Sequence, residues 1–347
     1  MEMGILGLPQ SGKSTLFEIM TGAGTGAGDR DCHGEACQRG LVMVPDHRFN
    51  HLVDVFQPLK VSPARMPFID VNFRGDNAGE SIRQVLNGAD GLVHVVDGFS
   101  TQNIQEIISH YRKLADDLIL SDLLIVENRL ERLARLPAKA LKPQDQSHLQ
   151  ILPKLKVQLE NGLPIRDMEL SDDVLDSLRS FSFLTIRPEL VVINMGENGP
   201  PVADAFCNMA DFPFPVIGIS CRIEAEMMGL TLPEQEEFLN DLGIDEPAFR
   251  RIIRESFSLL GRISYFTVGE DEVKAWVIPE GSRAPRAAAA IHKDFERGFI
   301  KAEVVSYEDF VACGNTLARA KAAGRLRLEG KDYVVQDGDI VSFRFNV

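Results

Sequence analysis

Short apolar runs recur at Gly4–Gly7, Leu41–Val44, Pro67–Val71 and Leu92–Asp97, and again at Leu190–Asn194 and Pro215–Ser220. Runs of strand length, often ending in Gly or a polar residue and separated by helical periodicity, predict a doubly wound α/β domain with a largely parallel sheet. The rhythm breaks between Val96 and Val191, a gap too long for one crossover. Within it, Leu114 to Leu133 keeps apolar residues on one face and charges on the other. Pro137 to Pro143 interrupts this pattern, and helical character resumes at Ser147–Asn161 and near Ser171. An inserted helical hairpin is expected, either an antiparallel two-stranded coiled coil or extra helices packed on the sheet.

After Ser220 the clearest helix is Glu246–Gly261. The pattern then shifts to short strands at Tyr265–Val268, Lys274–Ile278, Glu303–Val305, Tyr333–Val335 and Ile340–Phe345, with one helix, Arg286–Phe295, among them. Gly-Asp turns punctuate the segment, which reads as a compact ubiquitin-like β-grasp.

The 347 residues suit two or three domains, and 44% hydrophobic with 25% charged content is that of a soluble globular chain. No apolar run spans a membrane and the N-terminus carries no secretory pattern, so a cytoplasmic location is expected. The net charge of −14 argues against nucleic-acid binding by the whole surface, and no DNA partner is expected. The charge is uneven: Tyr265–Val347 holds 12 Lys/Arg against 13 Asp/Glu, so a local RNA-facing patch around Lys321, Arg325, Arg327 and Lys331 competes with a plain solvated face. Cys32, Cys37, Cys207, Cys221 and Cys313 are odd in number and form no CxxC pair, which suggests neither a disulfide framework nor a zinc site. Cys32 and Cys37, in a Gly-rich loop, are candidates for redox sensitivity.

The chemistry concentrates at Gly7-Leu8-Pro9-Gln10-Ser11-Gly12-Lys13-Ser14-Thr15, a GxxxxGKS phosphate loop. Its glycines let backbone N–H groups curl around a phosphate, and the following helix points its positive end at the anion. Lys13 is the expected catalytic residue, reaching the β- and γ-phosphates. Ser14 is the expected Mg²⁺ ligand, with Asp70, which closes the run Pro67–Val71, as its metal partner. Asp97 reads as a strand-end residue and His94 as a core histidine. Leu190–Asn194 continues into Met195-Gly196-Glu197, an NxxE where GTP-binding proteins carry NKxD. Glu197 is one methylene longer than the Asp that reads guanine, and Met195 replaces the Lys that flanks the base, so guanine readout weakens and adenine becomes plausible. Ser220-Cys221 ends the next strand, where such proteins place a base-contacting loop. The expected nucleotide site is therefore Leu8 to Thr15 with Asn194, Met195, Glu197, Ser220 and Cys221.

With these motifs in order, the chain resembles the YchF family of P-loop NTPases, the Obg-related ATPases, over nearly its whole length. Its phosphate loop is similar to the family's GLPNVGKSTLF, with Gln10 for Asn and Ser11 for Val. The segments from Tyr265, Ala275, His292 and Leu328 resemble the family's TGS-type domain. The resemblance implies an NTPase domain in two parts (1–110 and 183–264), a helical insertion (111–182) and a TGS-like β-grasp (265–347). It also implies ATP preferred over GTP, slow hydrolysis, ribosome or rRNA as partner, and a monomer.

Departures from the family pattern fall beside the phosphate loop. The family's DxAGL reads Asp70-Val71-Asn72-Phe73-Arg74 here, and the Gly-rich loop after it is shortened to Gly75–Gly79. The switch Thr aligns with Gly34; Thr25 is the nearest substitute, and His33 lies close by in sequence. Losing donors to the γ-phosphate raises the barrier to hydrolysis more than it weakens binding. Three readings stand: a slow Mg²⁺-dependent ATPase; a catalytically impaired binding module that docks through the TGS domain and the arm; and a GTPase, against which the missing Asp of NKxD speaks although Glu197 could still pair with guanine.

Overall fold

A computed structural model describes residues 1–22, 37–71, 78–196, 202–210 and 214–346. The readings placed on Thr25, Cys32, His33, Gly34, Phe73, Arg74 and Glu197 lie outside these residues. The strands, in chain order, are β1 (Met3–Leu6), β2 (Cys37–Met43), β3 (Lys60–Ser62), β4 (Arg65–Val71), β5 (Gly91–Gly98), β6 (Glu189–Met195), β7 (Val216–Ile219), β8 (Arg262–Thr267), β9 (Glu272–Pro279), β10 (Phe299–Ser306), β11 (Arg327–Glu329) and β12 (Asp339–Phe345). They form two six-stranded sheets, and the fold is mixed α/β with a long helical insert. The chain divides into two compact units, Met1–Leu41 with Pro67–Ile252, and Val42–Met66 with Ile253–Val347.

The first sheet runs β2-β4-β1-β5-β6-β7, and β4-β1-β5-β6-β7 pair in parallel. β1 is buried at every residue, and β5 and β6 at nearly every one, as parallel strands covered on both faces must be. Helix α1 (Lys13–Thr21) follows β1. Further on, α3 (Ala78–Leu86) packs Leu86 so close to β1 that a Cβ on Gly4 would meet its Cδ2 at 2.3 Å. Helix α2 (His47–Phe56) lies between them in sequence but belongs to the other unit. His94 lies in the core at 1% exposure, where its Nδ1 meets Glu189 at 2.9 Å. Arg166 and the Tyr111 hydroxyl also bond to the Glu189 carboxylate. Cys37 is disulfide-bonded, where the spacing of cysteines suggested no such bridge.

The insertion is an antiparallel helical hairpin. Helix α4 (Ile104–Ala134) is 31 residues long, about 46 Å at 1.5 Å per residue. The Asn103 side chain caps its start by accepting from the Gln105 amide at 3.0 Å. Its Ile119, Val126 and Leu133 recur every seven residues and meet Leu152, Leu155 and Leu159 of α5 (Pro143–Glu160), the spacing of a coiled-coil seam. Lys156 with Glu127 at 2.8 Å, and Asp145 with Arg129 at 2.5 Å, flank it.

The second sheet runs β11-β10-β12-β8-β9-β3, mixed in direction. Its core joins Ile263, Tyr265, Ile278, Ala302, Val304 and Val341 to the alanine face of the helix Ala284–Ile291. The expected single helix Arg286–Phe295 is broken at His292, whose extended backbone separates it from the short helix Lys293–Arg297. The expected strand Tyr333–Val335 reduces to one bridge, Val334 to Arg283.

Residues 42–66 complete this second unit. β3 pairs in parallel with β9, and Ser62 Oγ donates to Glu272 at 2.7 Å. From α2, Arg48 pairs with Asp337 at 2.8 Å, His51 meets the Tyr307 hydroxyl at 2.9 Å, and Phe56 stacks on Phe310.

Candidate functional site

β1 delivers the chain to the loop Gly7–Gly12, and α1 begins at Lys13. The Ser11 amide closes the turn on the Leu8 carbonyl at 3.2 Å. Gly12 sits at φ +93°, in the left-handed region that costs an L side chain most, and a Cβ there would meet Asn194 Nδ2 at 2.3 Å. Gln10 takes φ +67° without glycine's freedom. Leu8 is half-buried, while Pro9 and Gln10 are exposed at the tip and Ser11 is buried.

The start of α1 has no side-chain cap and no acidic residue in its first turn. Its leading N–H groups are thus left for an anion. Lys13, 9% exposed, has no ion-pair partner among the described residues. A buried cation at an uncapped helix start is costly alone, a cost that a bound phosphate would offset. Thr15 is exposed on the same turn.

Asp70 lies on β4 beside β1, in register with Ile5, and is 1% exposed. The Ser14 hydroxyl donates to its Oδ2 at 2.8 Å. A hydroxyl and a carboxylate are the hard oxygen donors that suit Mg²⁺. No group of three acidic, His or Cys side chains stands ready for a metal among the described residues. A cation held by Ser14 and Asp70 therefore needs phosphate and water oxygens to complete its shell.

Asn194, at the end of β6, is 9% exposed and spends both ends of its side chain on backbone. Its amide nitrogen donates to the Ser11 carbonyl at 3.1 Å, and its oxygen accepts from the Cys221 amide at 3.1 Å. The residue expected to face the base is thus the clamp that joins the phosphate loop to the start of the helix Cys221–Met227. Half-buried Met195 covers Gly218, where a Cβ would meet its Cε at 2.5 Å. Ser220 stands at the cap of that helix, its buried hydroxyl unpartnered. Cys221 is 3% exposed, and burial, with Glu224 nearby, pushes its thiol up to about 12, so it contributes backbone rather than thiolate chemistry.

Beside the clamp opens a cleft of about 520 Å³, lined by Thr15, Phe99, Asn194, Cys221, Arg222, Ala225 and Glu226. Phe99 offers the cleft a ring that is 57% exposed. Asp97 fixes the backbone beneath it, accepting from the Phe99 amide at 2.9 Å and the Ser100 amide at 3.1 Å. Arg222 closes the run Ile219–Arg222 where a base-contacting loop is expected, whereas sequence reasoning missed Phe99 and Glu226; the one signal for Phe99 was its place just past the strand-end Asp97. Arg222 and Glu226 pair at 3.3 Å along one helix face.

Comparisons with known proteins agree with this geometry. The profile for the C-terminal region of YchF GTPases, described as a protein of unknown function (DUF933), matches residues 262–346. Across 99% of both sequences the chain is 38% identical to the ribosome-binding ATPase YchF of Pasteurella multocida and to that of Bacillus subtilis. It is 36% identical, over the same share, to the ribosome-binding ATPase YchF of Escherichia coli O157:H7. Among solved structures, the Schizosaccharomyces pombe YchF GTPase superposes with a TM-score of 0.85 at 26% identity, covering 99% of this chain and 97% of that one. A phosphate loop, an inserted helical hairpin and a C-terminal β-grasp along a sequence matched end to end leave one conclusion: the chain belongs to the YchF family.

Proposed function

We propose that this chain is a slow Mg²⁺-dependent ATPase, preferring ATP to GTP, that works in association with the ribosome. The observation that carries the reading is the buried Lys13 ammonium, without an ion-pair partner among the described residues, beside the Ser14–Asp70 pair at an uncapped helix start. The naming of its relatives as ribosome-binding ATPases supports the choice of nucleotide and partner.

In this reading Leu8 to Thr15 cradle the phosphates, and Lys13 is the catalytic residue that stabilises charge developing across the β–γ bond. Ser14 and Asp70 hold Mg²⁺, which when bound neutralises phosphate oxygens. Asn194 shapes the loop, and Met195, Glu197, Ser220 and Cys221 surround the base. Phe73 and Gly34, where the family pattern has donors, support turnover that is weaker than binding. Residues 1–110 and 183–264 supply the NTPase part, except that 42–66 pack with the TGS-like part, 265–347, and 111–182 form the arm. The chain works as a cytoplasmic monomer. No helix among the described residues is long and apolar enough to cross a membrane.

The test is calorimetric titration of the nucleotide-stripped protein with ATP and GTP in Mg²⁺, with phosphate release followed on the same sample. Tighter ATP binding with slow release is expected. Binding without release would favour the impaired binding module, and no binding of either nucleotide would overturn the nucleotide reading.

A further inference from the structure

Helix α3 is the next described element after β4, the strand that carries Asp70. Its Arg83 reaches the root of the helical arm. There Nη2 donates to Ser121 Oγ at 2.6 Å and to Asp122 Oδ1 at 3.0 Å, and Nη1 donates to the Ser182 carbonyl at 3.3 Å. Asp122 is 0% exposed. It also accepts from the backbone amides of Leu184 at 3.1 Å and Thr185 at 2.8 Å, and from the Thr185 hydroxyl at 2.7 Å. From the segment that leads from the arm back to β6, Arg187 donates to the Leu86 and Asn87 carbonyls at the end of α3. The apolar side of the joint is continuous with the site: Ile82 and Leu86 of α3 share one core with Leu114 and Leu118 of α4 and with Leu6 and Ile69 of the strands that hold the phosphate loop and Asp70.

We propose that this joint, with Arg83 as its positioning residue, couples the nucleotide site to the arm. A carboxylate as deeply buried as Asp122 cannot release its cation cheaply, and the cost exceeds the coupling free energy that effectors usually supply. The pair therefore stays made when α3 shifts, and the arm root moves with it. Leu6 and Ile69, which adjoin the phosphate loop and Asp70, pack in the same core as Ile82 and Leu86, so a change in what the metal site holds reaches Arg83 through packed side chains. The nucleotide then sets how the arm is presented, and by linkage a partner seated on the arm changes nucleotide affinity by the same factor. The inference rests on the nucleotide-binding reading above and names its regulation.

The test is hydrogen–deuterium exchange of the full-length chain without nucleotide, with Mg·ATP and with Mg·ADP, alongside titration of both nucleotides on the same preparation. In the wild type, amides in 118–126 and 182–187 should differ by about fivefold in protection between the ATP and ADP forms. Arg83→Lys and Ser121→Ala should keep nucleotide affinity within about threefold and lose most of that difference. An arm indifferent to nucleotide in a wild type that binds it would overturn the coupling, whatever the variants do. So would a response undiminished in both variants. If neither nucleotide binds, the functional reading falls and the inference with it.

Discussion

The Asn194 amide nitrogen donates to the Ser11 carbonyl at 3.1 Å, tying the end of β6 to the phosphate loop. The same side chain accepts from the Cys221 amide, so one residue fixes two loops that meet nowhere in sequence. Asn194→Ala leaves a buried carbonyl and a buried amide unpaired. We expect a loss of about 2–4 kcal/mol in urea unfolding and a nucleotide affinity weaker by tenfold or more, on the order of one such bond. Wild-type affinity in the variant would show that the loop keeps its shape without the clamp.

Phe99 presents an exposed ring to the cleft beside Asn194. A ring so placed is suited to stack on a nucleobase. Phe99→Ala should weaken ATP binding by about 1–3 kcal/mol, while Phe99→Tyr keeps it. Affinity for inorganic triphosphate, which has no base, should be the same in all three proteins. An equal loss for triphosphate would move Phe99 from base contact to loop support.

Gln10 holds φ +67° at the tip of the phosphate loop. Asn visits this region more readily than Gln, because its short side chain bonds locally. Gln10→Asn should therefore stabilise the nucleotide-free protein by about 0.5–1 kcal/mol, read as a small rise in melting temperature. A drop would mean that Gln10 makes contacts that outweigh its backbone strain.

Much of this site was legible because its chemistry is tied to local spacing. GKS places Lys13 and Ser14 by sequence alone, and Asp70 ends an apolar run that can only be a strand. The Asn194 clamp was not legible, since it depends on Ser11 and Cys221, which are brought together by strand order rather than by sequence distance. Arg83 and Asp122 are two more charges on amphipathic helices until the fold buries them. The three residues of β3, two of them exposed, carry too little alternation to announce a strand. His292, in an otherwise alanine-rich helical run, gave no warning that the helix ends there.

Glu189 is fully buried, which pushes its carboxyl up. Arg166 outweighs this, with bonds from His94 and Tyr111, and brings it down to about 2. A carboxyl depressed below its unfolded value of about 4.3 stabilises the fold at neutral pH, and that share is lost as pH falls from about 5 toward 2. Glu189→Gln leaves Arg166 without its countercharge and should cost about 3–5 kcal/mol at pH 7. Between those two pH values the wild type should lose stability more steeply than the variant. Parallel pH profiles would place the acid sensitivity elsewhere.

Residues 253–347 expressed alone lack α2 and β3. Phe266 and Phe310 lose their partners Phe49 and Phe56, and the β9 edge is bared. This fragment should remain unfolded or aggregate by circular dichroism and light scattering, and a peptide spanning 42–66 should restore cooperative melting. A fragment that melts cooperatively by itself would show that the added strand and helix are dispensable.

The borrowing of residues 42–66 also bears on inheritance. A module that can be cut from one gene and joined to another must be contiguous in its coding sequence. The C-terminal unit of this chain is not, because part of it is written between two strands of the first sheet. Recombination at residue 262 would transmit an incomplete fold, so this unit descends with its NTPase as a single heritable piece. Selection on the C-terminal unit then reaches 25 codons that lie inside the coding sequence of the first unit.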